Sequence, residues 1–115
     1  MAKEHAGFPR YVRDHQGRLW ELHRDVWAHV ERRHPEMTSH LDAIEETLRN
    51  PDEVRRSRKR HDTVLYYRQF ERLRLFGRMV SHWYVCVVAD QQERVAKTAY
   101  LTAKIKQGEP LWKKD

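Results

Sequence analysis

Cysteine is nearly missing from this 115-residue chain, which contains Cys86 alone. A single cysteine excludes a disulfide within the chain, and it argues against a zinc site built from several thiolates. Cys86 stands in the apolar run WYVCVVA, where we expect a small core residue rather than a reactive one.

Long apolar runs are missing as well. No stretch approaches the roughly 18–20 residues that a membrane-spanning helix needs. The first residues, MAKEHAGFPRYVRDHQGR, have no apolar segment of the kind found in a secretory signal. We therefore expect no membrane partner and a cytoplasmic location.

Histidine is frequent, but its spacing is not that of a metal site. The chain has eight histidines, and none of the spacings HxH, HxxxH or HExxH occurs among them. We expect neither a metal nor another cofactor.

Positive charge dominates the composition. The formal net charge is +6 and the sequence pI is about 9.7, a balance that favours a polyanion such as nucleic acid as the partner. One dense run is predicted to bind an RNA backbone, with a solvated loop as the alternative. It comprises Arg55, Arg56, Arg58, Lys59 and Arg60.

The length fits one domain. Gly7 and Pro9 interrupt any periodicity in residues 1–10, which we expect to be a flexible N-terminus preceding a single domain over 11–115. Four Trp, five Tyr and three Phe can supply a compact core for a domain of this size.

The first half of the domain has helical periodicity. A polar turn around Gly17 suggests a short hairpin over 11–22. Val26, Trp27 and Val30 form an apolar stripe that predicts a helix over 24–34, ended by Pro35. A second helix, capped by a residue at 38 or 39, is predicted to run to about residue 50.

The period changes from 3.6 to 2 after residue 51. Strands are predicted over 53–57, 63–70, 79–89 and 94–102, with Gly77 in a hairpin connection and a final edge contact at Leu111 and Trp112. The predicted fold class is α+β. Two N-terminal helices would pack on a curved antiparallel sheet of about four strands, with a short N-terminal hairpin as a possible addition.

Several short motifs occur in a recognisable order. They are HVERRHPEM (29–37), NPDEV (50–54), LYYR (65–68), KTAYLT (97–102) and KIKQG (104–108). Together they resemble the Barnase–EndoU–colicin–RelE superfamily, and more closely its phage-associated branch of nuclease-like domains. The resemblance covers about residues 20–113 and implies the same two helices followed by an antiparallel sheet.

The resemblance implies a nuclease-like domain that cleaves RNA without a metal. It also implies a toxin-like or tRNA-directed role, with tRNA or mRNA as the partner and a cognate inhibitor protein as a second one. Such cleavage needs a base for the 2′-OH, an acid for the departing 5′-oxygen and a cation for the phosphorane. Histidine suits the first two roles, since its unperturbed pKa is about 6.5, and arginine or lysine suits the third.

Two histidines are the candidates for acid–base catalysis. His29 lies beside the apolar stripe of the first helix, and we predict it as the catalytic residue; the alternative is a half-buried histidine bonded to Asp25. His34 is predicted as a supporting, substrate-binding residue, or simply as the end of the helix. On a straight helix the two side chains point about 140° apart, so they can share a site only if the helix end unwinds.

The strands supply the other candidates. Arg68 is predicted to stabilise phosphate, and Thr98 and Tyr100 alternate onto one face where they could position the substrate. Lys104 follows the last long strand and could reach a phosphate. Each also has a plain structural alternative: Arg68 and Lys104 as solvated cations, and Thr98 and Tyr100 as good strand formers.

Two functional hypotheses follow. The first is a metal-independent endoribonuclease, toxin-like or phage-associated, in which His29, Arg68, Thr98 and Tyr100 meet in one pocket. The second is a non-catalytic module that binds RNA, a ribosome or a protein through the same basic surface.

Overall fold

A computed structural model describes residues 7–105 and 108–115 of the chain. These residues form two helices and nine strands. In chain order they are β1 Arg10–Arg13, β2 Leu19–Leu22, α1 Arg24–Arg33, α2 Leu41–Arg49, β3 Glu53–Arg56, β4 Thr63–Phe70, β5 Leu73–Leu75, β6 Arg78–Val80, β7 Trp83–Asp90, β8 Val95–Thr102 and β9 Glu109–Lys113. Most of the N-terminal segment expected to be flexible, residues 1–6, lies outside the described residues.

Both predicted helices are confirmed. Helix α1 begins after His23, whose side chain accepts a hydrogen bond from the Asp25 amide, and it buries Trp27 and Val30. Helix α2 begins after His40 without a side-chain cap, so the predicted cap at residue 38 or 39 is wrong. A 3-10 turn over Pro35–Met37 lies just before those residues and buries Met37.

The predicted four-stranded antiparallel sheet is wrong. Within the described residues the main sheet has seven strands in the order β1-β2-β8-β7-β4-β3-β9, and β5 and β6 form a separate two-stranded sheet. The sheet is mixed, because β2 joins β8 by a parallel pairing of Glu21 with Val95. The N-terminal hairpin and β9 are therefore parts of the sheet rather than additions to it. Their pairing partners lie far away in the sequence, where local periodicity carries no information.

The strand predicted over 79–89 is also divided. It is interrupted at Ser81 and His82, and His82 has a φ of 63°, in the left-handed region. Strands β5 and β6 precede the break and have three residues each. Such short strands show too little alternation to be separated from a loop by sequence alone.

The sheet has two different faces. Helices α1 and α2 cover one face, where the main core contains Trp27, Ile44, Tyr66 and Val87. The opposite face, called the open face below, carries a smaller cluster of Leu65, Tyr67 and Cys86, with Tyr84, Val88, Tyr100 and Ile105 packed against it. Alternate residues of one strand therefore contribute to different cores.

The β1–β2 turn folds back over the helix face. Asp14 in this turn accepts hydrogen bonds from the hydroxyl of Tyr66 on β4 and from the indole of Trp20. The His15 ring lies 4.3 Å from the ring of Trp112 on β9, so residues near the two edges of the sheet meet. The described residues include no helix long and apolar enough to cross a membrane.

Candidate functional site

The end of helix α1 brings two histidines together. The helix stops at Arg33, and His34 has φ −133° and ψ 67°, outside the helical region, because it precedes Pro35. This departure places the ring centroids of His29 and His34 6.5 Å apart. The alternative considered for His29, a bond to Asp25, is not formed within the described residues, and Asp25 lies beside His23 instead.

The histidine pair reaches a residue of the open face. The ring centroid of His34 lies 5.7 Å from that of Tyr100 on β8. Among the described residues β2 pairs with β8 at Val95, leaving the C-terminal half of β8 without a neighbouring strand on that side. The end of α1 and the following 3-10 turn pack beside this uncovered half. Predicted residues His29, His34 and Tyr100 are therefore neighbours.

Tyr100 also lines a cleft on the open face. The cleft has a volume of about 530 Å³ and an apolar floor of Leu65 and Val88, with Thr63 beside it. Its rim is the loop of residues 57–60, which includes three of the predicted basic residues. Sequence reasoning missed the floor, because Leu65 and Val88 carry no signal beyond strand alternation.

The predicted basic run is divided between two roles. Arg55 and Arg56 lie in β3, where their guanidinium groups pair with the carboxylates of Glu53 and Glu109. Arg58, Lys59 and Arg60, called the basic loop below, are exposed and form no ion pair with any described residue. Only the basic loop lines the cleft and is free to contact an anion there.

Thr98 lies close to the cleft. It shares the open face with Tyr100, and its backbone is paired with Val88 of the cleft floor. Its Oγ1 atom is buried and has no hydrogen-bond partner among the described residues. A buried hydroxyl of this kind is costly unless a ligand or a water completes it.

Arg68 does not join this group. It alternates onto the helix face, where it donates to the backbone carbonyl of Asn50 and lies 5.5 Å from the Phe70 ring. Its Nε is buried without a hydrogen-bond partner in the described part of the chain. The structure therefore separates Arg68 from Tyr100 by the thickness of the sheet.

Lys104 lies outside the cleft lining. Its backbone amide donates a hydrogen bond to the Thr102 hydroxyl, and that hydroxyl donates one to the Lys104 carbonyl. The Lys104 side chain is exposed. This arrangement fixes the backbone after β8 and leaves the ammonium group in solvent.

The hydroxyl of Tyr100 remains protonated at neutral pH. Burial raises the pKa of Tyr100 well above its usual value, and the Cys86 thiol, which is hydrogen-bonded to it, raises it further. Tyr100 can therefore donate a hydrogen bond or stack, but it is a poor base. Among the described residues no three His, Cys, Asp or Glu side chains form a group that could hold a metal.

A second polar cluster, missed by sequence reasoning, lies under the β1–β2 turn. Burial alone would raise the pKa of Asp14, but hydrogen bonds from Tyr66, from the backbone and from Trp20 lower it overall. His15 lies beside this carboxylate, and neither of its ring nitrogens has a hydrogen-bond partner among the described residues. Asp14 and His15 both lie on the helix side of the sheet, away from the cleft.

No known family model matches the chain, and neither a curated protein nor a solved structure matches it.

Proposed function

We propose that the open-face cleft binds RNA and that the protein cleaves it by acid–base catalysis without a metal. One observation carries the proposal. The rings of His29, His34 and Tyr100 form a continuous row that ends in a cleft bordered by the basic loop. The histidines can supply the base and the acid that RNA cleavage requires, the basic loop can supply the cation, and the Tyr100 ring can stack on a nucleotide base.

The chemistry follows from the histidine pair. One imidazole accepts the proton of the 2′-OH as that oxygen attacks phosphorus, which forms a 2′,3′-cyclic phosphate. The other, protonated, imidazole donates its proton to the departing 5′-oxygen as the P–O5′ bond breaks. Rings 6.5 Å apart can both contact one phosphodiester. His34 is the closer of the two to Tyr100 and hence to the cleft.

The basic loop takes the role that sequence reasoning gave to Arg68. Its three cations border the cleft, whereas Arg68 lies on the other face. The apolar floor and the Tyr100 ring suit a base, and the unpartnered Thr98 hydroxyl is available to a polar edge of that base. The motifs that resemble the phage-associated nuclease-like branch support the same activity.

The proposal extends to a cytoplasmic location with tRNA or mRNA as the target. A ribonuclease active inside its own cell would also need a cognate inhibitor protein.

The test is incubation of the protein with total RNA in EDTA. We expect the wild type to cut RNA, and His34→Ala and His29→Ala to lower the rate by roughly 10²–10⁴-fold, the usual contribution of a general acid or base. His23→Asn is the control, because asparagine retains the N-cap acceptor of α1. Intact RNA with the wild type, or equal cutting by all variants, would contradict the proposal.

The second candidate is RNA binding without turnover. The position of Arg68 favours it, because the histidine pair then lacks the strand-borne cation expected beside it. It predicts salt-sensitive RNA binding that is lost when the basic loop is neutralised and retained in His34→Ala.

A further inference from the structure

Strands β5 and β6 form an arm whose strands do not pair with the main sheet in the described part of the chain, although Leu73 and Val80 at its base pack in the main core. The arm comprises residues 71–82, and its strands pair only with each other within the described residues. Phe76 at its tip has 76% of its surface exposed, and Met79 has 51%. A two-stranded hairpin this short gains little stability from its own pairing, so these exposed apolar side chains call for another explanation.

The arm also carries unbalanced positive charge. Arg72, Arg74 and Arg78 are exposed and form no ion pair with any described residue, and Glu71 is the one acid in the arm's sequence. The side of the arm that faces α2 borders a cleft lined by the carboxylates of Asp42 and Glu46 and by Arg49, Arg72 and Arg74, so the charge of Arg72 and Arg74 is partly offset there. Phe76 and Arg78 are not part of that lining, so the tip carries a cation that neither of these carboxylates offsets.

The arm is structurally continuous with the proposed RNA site. One segment, residues 34–40, connects α1 to α2. At its start the His34 ring lies beside Tyr100, and at its end His40 Nε2 is 2.7 Å from the carbonyl oxygen of Arg74 in the arm. The arm and the basic loop lie at opposite ends of β4, whose eight residues span roughly 25 Å.

We infer that the tip of the arm is a second contact site for the single-stranded RNA held in the cleft. This inference rests on the RNA-binding part of the proposed function. Phe76 offers a free aromatic face to a base, and Arg78 offers a guanidinium to a phosphate. An RNA strand that leaves the basic loop and passes the histidine pair reaches this second group of cations, so the arm adds affinity for longer RNA alone.

The test is the binding of RNA that cannot be cleaved. The probes are a 2′-O-methyl RNA of roughly 12 nucleotides, within the usual site sizes of single-strand binding proteins, and a 2′-O-methyl dinucleotide. We expect Phe76→Ser/Arg78→Ser to weaken binding of the long RNA at least about fivefold, a modest effect for one stacked base. Binding of the dinucleotide should not change.

Tyr11→Ser/Arg24→Ser is the matched control. It removes an exposed aromatic ring and an exposed arginine from β1 and α1, outside the arm and the cleft, and it should bind both probes as the wild type does. If the arm variant binds the long RNA as tightly as the control, the arm is not an RNA contact and a protein partner becomes the better explanation. Arm-dependent binding by a protein that cuts no RNA would overturn the nuclease proposal and leave this inference standing.

Discussion

The rings of His34 and Tyr100 lie 5.7 Å apart although their chain segments belong to opposite sides of the sheet. His34 follows a helix that packs on one face, and Tyr100 projects from the other. They meet because the C-terminal half of β8 has no neighbouring strand within the described residues on that side, so the helix end lies against an open edge. This contact connects the histidine pair to the cleft.

Tyr100→Ala should weaken RNA binding by about 1–3 kcal/mol, the usual contribution of one base stacked on an aromatic ring. Tyr100→Phe keeps the ring and should bind RNA nearly as the wild type does. It loses the hydroxyl bonded to Cys86, at a cost of about 1 kcal/mol in unfolding free energy. Fluorescence anisotropy and urea denaturation measure the two effects. Tight binding by the alanine variant would show that Tyr100 does not stack on a base.

Arg58→Ser/Lys59→Ser/Arg60→Ser should remove salt-dependent RNA affinity without unfolding the protein. The plot of log K against log salt has a negative slope, and each lost phosphate contact makes that slope shallower by roughly 0.7 for a single strand. Arg55→Ser/Arg56→Ser is the comparison, because these arginines pair with Glu53 and Glu109. That variant should lose stability while retaining most of the salt dependence. Equal salt slopes in the triple variant and the wild type would refute the assignment.

Tyr66→Phe should destabilise the fold by about 1–3 kcal/mol. The substitution removes a hydroxyl that donates to the buried Asp14 carboxylate and leaves that carboxylate short of a donor. Urea denaturation gives the unfolding free energy. Tyr11→Phe is the control, since the Tyr11 side chain is exposed, and its stability should equal that of the wild type. A Tyr66→Phe protein as stable as this control would mean that the network contributes nothing.

Stability should fall as the pH is lowered below about 6.5, in part through His15. Burial lowers the pKa of His15; the Asp14 carboxylate partly offsets this, and the Arg18 guanidinium reinforces it. The unfolded chain therefore binds a proton near pH 6.5 that the folded protein resists, so acid favours unfolding. His15→Phe, which has no titrating group, should reduce the change in unfolding free energy between about pH 7.5 and 5.5.

The control for that measurement is His61→Ala, because His61 is exposed in the loop before β4. It should keep the pH dependence of the wild type. An NMR titration that places the His15 pKa above its ordinary value would contradict the prediction directly.

Sequence patterns predicted the helices well, because the signals that form a helix are local. The stripe of Val26, Trp27 and Val30 and the proline at 35 lie within one short segment, and the structure places α1 there. The strands were predicted less well. Thr63–Phe70 is rich in β-branched and aromatic residues and was found, whereas the pairing of Glu21 with Val95 joins residues far apart in the chain.

In the candidate site, too, local features were predicted and contacts between distant residues were not. The sequence by itself determined that His29 and His34 lie at one helix end, that Thr98 and Tyr100 share a strand face, and that positive charge is concentrated around residue 58, since these are matters of spacing and composition. Only the tertiary structure decided which of them meet. The register of β4 placed Arg68 on the helix face. Arg55 and Arg56 form ion pairs with carboxylates. The open edge of β8 allows His34 to lie beside Tyr100. Contacts of this kind depend on strand order and on pairs distant in sequence, which local periodicity does not encode.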